Sequence, residues 1–198
     1  YIGKKSEIQI LTPMNKGSVG TKEINKRIQE SINPKTKDKK EIVRGDRVFR
    51  EGDRVIQMSN NYDLNVFNGD IGYILKIDAK DSSVLIKYGN DKNSKIVQYE
   101  RQNIVEIELA YSITIHKSQG SEFEVVIMPA LSEHYIMLYR NLIYTGLTRA
   151  KKMAVLIGER ESLKRGVENV NPNERQTSLK KFLKEQYEQI EPELEFLG

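Results

Sequence analysis

Residues 108–130 read ELAYSITIHKSQGSEFEVVIMPA. The stretches ELAYSIT and VVIMPA are short, apolar and rich in β-branched residues, which is typical of strands buried in a parallel sheet. Between them lies the polar turn HKSQG, at residues 116–120. Ligands of open parallel sheets gather beyond the carboxyl ends of the strands, so we interpret this turn as a candidate binding site.

Two further runs have the same apolar character, IQILTP at residues 8–13 and MAVLIG at residues 153–158. Together the four runs predict a parallel sheet, because each is continuous rather than alternating. Two helices are predicted to pack on it, GTKEINKRIQESINP at residues 20–34 and YRNLIYTGLTRAKK at residues 139–152. The stripes expected to face the core are Ile24, Ile28 and Ile32 in the first helix, and Ile143, Leu147 and Ala150 in the second.

From about Arg44 to Ile104 the pattern changes to short alternating strands. These are DRVIQMSN, GDIGYILKID, SVLIKYG and KIVQYE, and turn residues such as Asn68-Gly69-Asp70 separate them. Several short strands at this spacing predict a small β-barrel. Strands of the predicted parallel sheet lie on both sides of this region. We therefore interpret it as a barrel inserted into an α/β domain, entered through the polar stretch NPKTKDKKEIVRGD.

Composition limits the class of protein. At 198 residues and 38% hydrophobic content, the chain can bury a core in one large domain or two small ones. It has no cysteine and only two histidines, which excludes disulfides, thiolate metal sites and a zinc cluster. No run of about eighteen apolar residues occurs, so no membrane span is expected. The net charge of +4 and the pI near 9.0 are compatible with a polyanionic partner.

Hydrogen-bonding side chains surround the candidate turn. Thr114 and His116 alternate with Ile113 and Ile115, so both are predicted to share one face of the strand. Gly120 would let a phosphate-rich ligand approach the backbone closely. The alternative is that Thr114 and His116 only end the strand and cap the turn, which is the commoner role of a lone histidine.

Arg149 follows Thr145 by four residues on the same predicted helix face, and we expect it to meet Thr114 at one edge of the sheet. A guanidinium placed there suits charge on a transferring phosphoryl group, although a surface ion pair is the alternative. The loop TPMNKGSVGT after the first strand offers Lys16 and two glycines. Its spacing does not match the G-x-x-x-x-G-K-[ST] pattern of a phosphate-binding loop, so no independent nucleotide site is predicted there.

Four stretches, in this order, resemble the RecD-like superfamily 1 DNA helicases, a family that includes the exodeoxyribonuclease V alpha subunits. They are LTPMNKGSVGTKEIN, FNGDIGYI, SITIHKSQGSEFEVVIMP and RNLIYTGLTRAKK. The resemblance covers about residues 8–159. Residues 112–123 match motif V of the family, and residues 144–150 match its motif VI.

The resemblance implies an α/β fold, with a partial RecA-like parallel sheet of the P-loop NTPase type and an inserted small SH3-like β-barrel. This would be the second motor domain of an ATP-dependent helicase that moves 5′ to 3′ along single-stranded DNA. ATP and Mg²⁺ would be bound mainly by a first motor domain outside this chain. Expected partners are single-stranded DNA, that first motor domain, and recombination or repair subunits. The expected location is the cytoplasm, without membrane association.

The same resemblance implies roles for individual residues. Arg149 is the expected arginine finger, and Gly120, Glu122 and Arg149 are the expected ATP-binding residues. The expected DNA-binding residues are Thr12, Pro13, Lys16, Asn68, Thr114, His116 and Lys117. No metal ligand is expected in this chain.

The implied domains are a motor domain at residues 1–43 and 105–160, a barrel at residues 44–104, and a helical tail at residues 161–198. The barrel stretch with Asn60, Asn61, Asn65, Phe67 and Asn68 would contact the emerging strand, or its asparagines would simply build turns.

The chain also departs from the family pattern. It has no Walker A lysine loop, no acidic Walker B strand, and no Phe-Arg-Gln segment of the kind that opens the second motor domain. We therefore expect a fragment that begins part-way through that domain and does not hydrolyse ATP unaided. Two other interpretations stay open: a non-catalytic nucleic-acid-binding module, and the helicase part of a conjugative relaxase.

Overall fold

The computed structural model describes residues 8–89 and 93–170. Its strands are β1 (Ile8–Thr12), β2 (Glu41–Arg44), β3 (Arg47–Arg50), β4 (Arg54–Gln57), β5 (Ile71–Asp78), β6 (Ser83–Tyr88), β7 (Lys95–Tyr99), β8 (Ile107–Leu109), β9 (Ser112–Thr114), β10 (Phe123–Ala130) and β11 (Ala150–Gly158). Its α-helices are α1 (Thr21–Ile32), α2 (Arg140–Leu147) and α3 (Arg160–Glu168). Short 3₁₀ helices occur at Asn103–Glu106, His116–Ser118 and Ser132–His134.

Four strands form the predicted parallel sheet, in the order β11-β10-β1-β9. The run ELAYSIT is not one strand of this sheet, however. Its first part lies in β8, which pairs antiparallel with β4, and its last part lies in β9, which pairs with β1. The chain therefore crosses from one sheet to the other at Ala110 and Tyr111. Continuous apolar character could not reveal this crossing, because both sheets bury this segment.

One face of the parallel sheet is covered by α2 and α3. Leu11, Val126 and Met128 of the sheet pack there against Leu142 and Ile143 of α2 in one apolar cluster. Gly146 lets the helix approach closely, since a Cβ at that position would lie 2.8 Å from Met128 Sδ. Helix α2 ends at Leu147, so the predicted extension of the helix through residue 152 is wrong.

Helix α1 contradicts the expected orientation. Its buried face is polar and consists of Thr21, Asn25 and Gln29, continued by Asn33 just after the helix. Of the isoleucine stripe, Ile28 and Ile32 instead border a groove beside Ile8 and Ile10, and Ile32 is 47% exposed. The reason lies in the barrel and its link to the sheet, which present carbonyl groups and a carboxylate to this helix instead of apolar side chains.

The antiparallel part contains the β2-β3 hairpin and a five-stranded sheet in the order β7-β6-β5-β4-β8. Its apolar core includes Phe49, Ile74 and Ile86, all essentially buried. Tyr88 and Tyr99 bring their hydroxyls to 2.9 Å within this core, and Tyr99 donates to Gln57 Oε1 at 2.7 Å. Burial raises the pKa of both tyrosines, that of Tyr99 to about 12, so both hydroxyls stay protonated and can donate.

The predicted barrel strands are present, and the β2-β3 hairpin adds two more. Strand β2 lies in the stretch predicted to be a polar boundary, and β3 lies in the barrel region where no strand was predicted. The signal was EIVRGDRVF, two short alternating runs around a Gly-Asp turn, in which Gly45 has φ +63°. Antiparallel strands thus extend from Glu41 to Leu109, and the exact domain boundaries stay a prediction. Of the predicted helical tail at residues 161–198, the part from residue 171 onward lies outside the described residues. None of the helices in the described part combines the length and apolar character that a bilayer crossing requires.

Candidate functional site

Thr114 lies at the carboxyl edge of the parallel sheet, where β9 ends. It pairs with Thr12 at the end of β1 and is only 7% exposed. Its Oγ1 accepts a hydrogen bond from the N–H of Lys117 at 3.3 Å. The chain then forms the 3₁₀ helix His116–Ser118, in which His116 is exposed. Thr114 therefore caps the turn, as the alternative interpretation expected, and His116 does not continue the strand face of Thr114.

A hydrogen bond from a buried side chain holds the loop that follows β1. Thr12 is fully buried, and its Oγ1 donates to the Val19 carbonyl at 2.9 Å. Pro13 is buried as well, whereas Lys16 is exposed at the far side of the loop. This geometry contradicts a direct DNA contact by the side chains of Thr12 and Pro13. Their contribution is to shape the loop that presents Lys16.

Arg149 lies just beyond α2, at the start of β11, rather than on the helix. Its Nη1 donates to the Ser121 carbonyl at 3.3 Å, and its Nε donates to the Thr145 carbonyl at 3.2 Å. Its Nη2 donates to Thr148 Oγ1 at 3.2 Å. Each of these acceptors is a neutral oxygen, so the hydrogen bonds hold the guanidinium in place without neutralising its charge.

The other predicted ATP-binding residues lie next to this guanidinium. Gly120 and Glu122 flank Ser121, and the N–H of Phe123 donates to the Arg149 carbonyl at 2.8 Å. Gly120 is exposed with φ +84°, and a Cβ there would meet nothing within 4 Å. Glu122 is exposed and forms an ion pair of 3.3 Å with Lys151. The structure thus brings all three predicted residues together.

Thr114 and Arg149 do not share an edge of the sheet, and that expectation is wrong. Ile10 of β1 is level with both Ser112 and Ile127. Thr114 lies two residues from that level toward the carboxyl edge of the sheet. Phe123, whose N–H donates to the Arg149 carbonyl, lies four residues from it toward the amino edge. The two positions are therefore about 20 Å apart along the strands at the usual strand rise. The cause is the segment at residues 115–122, which runs back along the sheet before β10 begins.

Lys117 connects the turn to the barrel. Its Nζ lies 3.0 Å from Met58 Sδ, at the start of the barrel loop, which we define as residues 58–70. Burial lowers the pKa of Lys117, and the charge of Glu108 opposes that effect. A thioether is a weak acceptor, so this half-buried ammonium retains donor capacity for a phosphate oxygen.

The barrel loop presents two aromatic rings to solvent. Tyr62 is 77% exposed and Phe67 is 41% exposed, with their ring centroids 6.1 Å apart in an edge-to-face arrangement. Lys95 Nζ lies 5.8 Å from the centre of the Phe67 ring. Tyr62 is not among the residues predicted from sequence. Its signal was an aromatic residue among turn formers, NNYDLN, where no core position was available.

Hydrogen bonds hold the barrel loop in one shape. Asn60 Oδ1 accepts the N–H of Asn68 at 3.0 Å, and Asn61 Nδ2 donates to Glu106 Oε2 at 3.0 Å. Asn65 adopts a left-handed conformation with φ 53°. The asparagines therefore build turns, as the second interpretation of this stretch expected, and Asn68 lies exposed between the aromatic residues and the next strand.

Comparisons with known proteins match both parts of the chain. Residues 24–88 match the family described as the SH3 domain of ATP-dependent RecD-like DNA helicases. Residues 109–157 match the UvrD-like helicase C-terminal domain. The ATP-dependent RecD2 DNA helicase of Deinococcus radiodurans is 35% identical over 150 residues, which cover 76% of this chain and 20% of that protein.

The chain belongs to the RecD-like superfamily 1 DNA helicases. Another relative, the RecBCD enzyme subunit RecD of Buchnera aphidicola, is 30% identical over 155 residues, covering 77% of this chain and 25% of the subunit. The RecD-like chain therefore spans about a fifth to a quarter of these curated relatives.

A solved structure shows the same fold at low sequence identity. A Pif1 helicase from Bacteroides, crystallised in complex with ADP-AlF3 and ssDNA, aligns with a TM-score of 0.56 at 15% identity, covering 91% of this chain and 45% of the Pif1 chain. The predicted RecA-like sheet with an SH3-like barrel is confirmed.

The RecD-like site fits part of a nucleotide. Within the described part of the chain, Arg149 donates to neutral oxygens, and Gly120 leaves open space nearby. In the described residues, however, no group of three or more histidine, cysteine or acidic side chains is placed to hold a metal ion. The charge of Arg149 and the space at Gly120 suit contact with phosphate oxygens.

His134, left unassigned from sequence, is fully buried under the loop that follows β1. Its Nδ1 accepts the N–H of Leu131 at 3.4 Å, and its neighbour Glu133 accepts from Ser18 Oγ at 2.9 Å. Burial lowers the pKa of His134. This buried position gives His134 a packing role beneath the loop.

Proposed function

We propose that this chain is the C-terminal motor region of an ATP-dependent DNA helicase that translocates 5′ to 3′ along single-stranded DNA. The observation that carries the proposal is the contact of Arg149 with Ser121, which joins the two helicase motifs at one edge of the sheet. The names of the curated relatives and the nucleotide and ssDNA bound by the Bacteroides Pif1 structure support it.

Arg149 is the proposed arginine finger on the nucleotide side. Its guanidinium is oriented by neutral oxygens, so its charge is available to a phosphoryl group that develops negative charge during transfer. Gly120 gives that group room, and the ion pair with Lys151 holds Glu122 at the border. ATP and Mg²⁺ would be bound mainly by a first motor domain, and this chain would complete the site when the cleft closes.

The DNA-binding side is proposed at the carboxyl edge of the parallel sheet. Thr114 fixes the turn that exposes His116, while Lys117 and Lys16 supply charge for phosphate groups. The barrel loop continues this surface. Because Met58 contacts Lys117 and Tyr62 follows Met58 by four residues, Tyr62 lies within about 14 Å of Met58 along the chain. Bases leaving the turn would stack on its ring and on that of Phe67, beside Asn68.

The segment at residues 115–122 would couple the two sides, because it begins at the strand site and ends beside Arg149. Ile115 packs against α2 at Gly146, where a Cβ would lie 3.5 Å from Ile115 Cδ1. A shift of Arg149 on closure of the nucleotide cleft would therefore be transmitted to the turn through packed atoms. Alternating closure and release of this kind is how nucleotide-driven domain motion moves a ligand.

The experiment that tests the proposal uses the purified full-length protein. ATP hydrolysis is measured with and without a single-stranded oligonucleotide, and unwinding is compared on duplexes with a 5′ or a 3′ single-stranded tail. We expect DNA-stimulated hydrolysis and unwinding from the 5′ tail. Strand binding without any ATP hydrolysis would contradict the proposal and support the non-catalytic binding module. Nicking of DNA by the same protein would support the relaxase alternative.

Assembly with recombination or repair subunits is a further part of the proposal. It rests on the relatives named RecBCD enzyme subunit RecD, and co-purification of the full-length protein from its own cells would test it.

A further inference from the structure

The polar face of α1 converges on one buried carboxylate at the junction between the barrel and the parallel sheet. Asp53 is fully buried in the turn between β3 and β4. Its Oδ1 accepts hydrogen bonds from Asn33 Nδ2 at 2.7 Å and from the Tyr111 hydroxyl at 2.9 Å. Its Oδ2 accepts from Gln29 Nε2 at 2.6 Å and from the N–H of Arg50 at 2.6 Å.

These four donors come from three separate parts of the molecule. Gln29 and Asn33 belong to α1 and its end, Arg50 belongs to the barrel, and Tyr111 lies on the link between the two sheets. Each carboxylate oxygen accepts two hydrogen bonds, so the acceptor capacity of the group is fully used. A different angle between barrel and sheet would break several of these bonds together and leave a charge buried without partners, which is strongly unfavourable.

Two neighbouring residues, Asn25 and Arg54, stabilise the same junction. Asn25 Nδ2 donates to the Leu109 carbonyl at 3.0 Å, while its Oδ1 accepts the N–H of Ser112 at 2.7 Å, so it spans the link from β8 to β9. Arg54 of the barrel is 6% exposed and donates through Nη1 to the Ile8 carbonyl of β1 at 2.7 Å. The junction is therefore fixed by directional bonds as well as by apolar contact.

We infer that Asp53 is a positioning residue whose carboxylate locks the barrel at one angle to the parallel sheet, so that the barrel moves with the motor domain as a rigid extension of the strand site. This deepens the proposed function, on which it rests only for its activity measurement. A rigid barrel keeps its loop at a fixed position relative to the turn at Thr114 throughout the ATP hydrolysis cycle, whereas a barrel that rotates would not.

The test measures the distance between barrel and sheet in the full-length protein. The 198 residues contain no cysteine, so Lys80→Cys on the barrel and Lys164→Cys on α3 give two exposed label sites, in a background freed of other reactive cysteines. Electron spin resonance then gives the distance distribution with and without oligo-dT. We expect one narrow distribution that oligo-dT does not shift. A broad distribution, or a shift on adding oligo-dT, would overturn the inference.

Asp53→Asn tests the carboxylate itself. In either orientation of the new side chain, its NH₂ group would face two hydrogen-bond donors. We therefore expect a broader distance distribution and fewer base pairs unwound per ATP hydrolysed. The matched control is Asp46→Asn, which makes the same change in an exposed 3.2 Å ion pair between the β2-β3 hairpin and Lys22 of α1. It should change neither quantity. An unchanged distribution in Asp53→Asn would refute the positioning role, even if its melting temperature fell.

Tyr111→Phe provides a second variant in case Asp53→Asn does not fold. It removes one donor and retains the ring, and we expect the ratio of fixed to displaced barrel to fall by about tenfold, the scale of one hydrogen bond to a charged group. A distribution identical to that of the unmodified protein would count against the inference. Because the distances are measured without catalysis, they remain decisive even if the protein hydrolyses no ATP.

Discussion

The two edges of the parallel sheet use their polar side chains in different ways. At the carboxyl edge, Thr12 and Thr114 are buried and bond to backbone groups, so they determine the shape of loops that expose other residues. At the amino edge, where β10 and β11 begin, the guanidinium of Arg149 is itself the group available to a ligand, and neutral oxygens orient it. The buried threonines of one edge therefore determine the shape of loops, whereas the arginine of the other edge itself supplies the charge. The proposed function requires this difference, because it places a DNA strand at one edge and a transferring phosphoryl group at the other.

The largest effect should come from Arg149→Ala in the full-length protein. Loss of an arginine finger typically lowers the hydrolysis rate by about 10³ to 10⁵, because charge developing on the phosphoryl group is no longer neutralised. We expect a loss of this size in steady-state DNA-stimulated ATPase, with ssDNA affinity retained. Arg160→Ala, an exposed arginine at the start of α3, is the control and should be neutral. Normal ATPase activity in Arg149→Ala would show that the charge of Arg149 at the amino edge does not act on the nucleotide.

The aromatic pair tests how far the carboxyl edge extends. Tyr62→Ala with Phe67→Ala should weaken ssDNA binding by about 1–3 kcal/mol for each base that loses its stacking partner. Fluorescence of 2-aminopurine placed along an oligonucleotide should rise at the unstacked position. Tyr135→Ala removes an aromatic side chain that is 67% exposed elsewhere and serves as the control. Unchanged affinity and fluorescence would confine the strand site to the turn.

Thr114→Ala with His116→Ala should weaken ssDNA binding by about tenfold, because the turn loses a cap worth about 1 kcal/mol and an exposed donor. It should also reduce the coupling of ATP hydrolysis to movement. Anisotropy titrations and a translocation assay would measure both. Ser132→Ala, at another 3₁₀ helix, is a suitable control. If affinity and coupling were both retained, Thr114 would have only its capping role.

A smaller change is expected for Lys117→Ala. One phosphate contact on a single strand contributes a slope of about −0.7 in a plot of log K against log salt, so the slope should become shallower by that amount. The measurement is the same titration at several salt concentrations. Lys164→Ala, exposed on α3, should leave the slope unchanged. An unaltered slope for Lys117→Ala would mean that its ammonium only packs on Met58.

The smallest effect is expected for Lys151→Ala, which removes the exposed ion pair with Glu122 at the amino edge. Exposed pairs of this kind contribute little to stability. We expect an unchanged melting temperature and a modest rise in the KM for ATP, since Glu122 would be held less firmly. A large loss of kcat would show instead that the lysine acts directly on the nucleotide.

Much of the fold could be predicted because the strands of the parallel sheet are continuous apolar runs and the barrel strands alternate between clear turns. The orientation of α1 could not. Its isoleucines have the usual spacing of a core stripe, but Asn25, Gln29 and Asn33 share an equally regular face. Which face is buried depends on Asp53 and on carbonyl groups far along the chain. Helical periodicity contains no information on such partners.

The site was predictable to a similar degree. The motifs correctly grouped Gly120, Glu122 and Arg149, because they follow one another around the start of two neighbouring strands. Sequence order could not show that Thr12 turns its hydroxyl inward to Val19. Nor could it show the distance between the two edges, because the return path of the segment at residues 115–122 depends on the register of β10 against β1.

Strand β11 has a practical consequence for anyone who produces these residues alone. It is the terminal strand of its sheet in the described part of the chain, with Met153 50% exposed and Ile157 55% exposed. Such an edge is a template for pairing with a second molecule. Dilute handling, a solubilising fusion partner or a lysine at position 157 would be sensible precautions against inclusion bodies during bacterial expression.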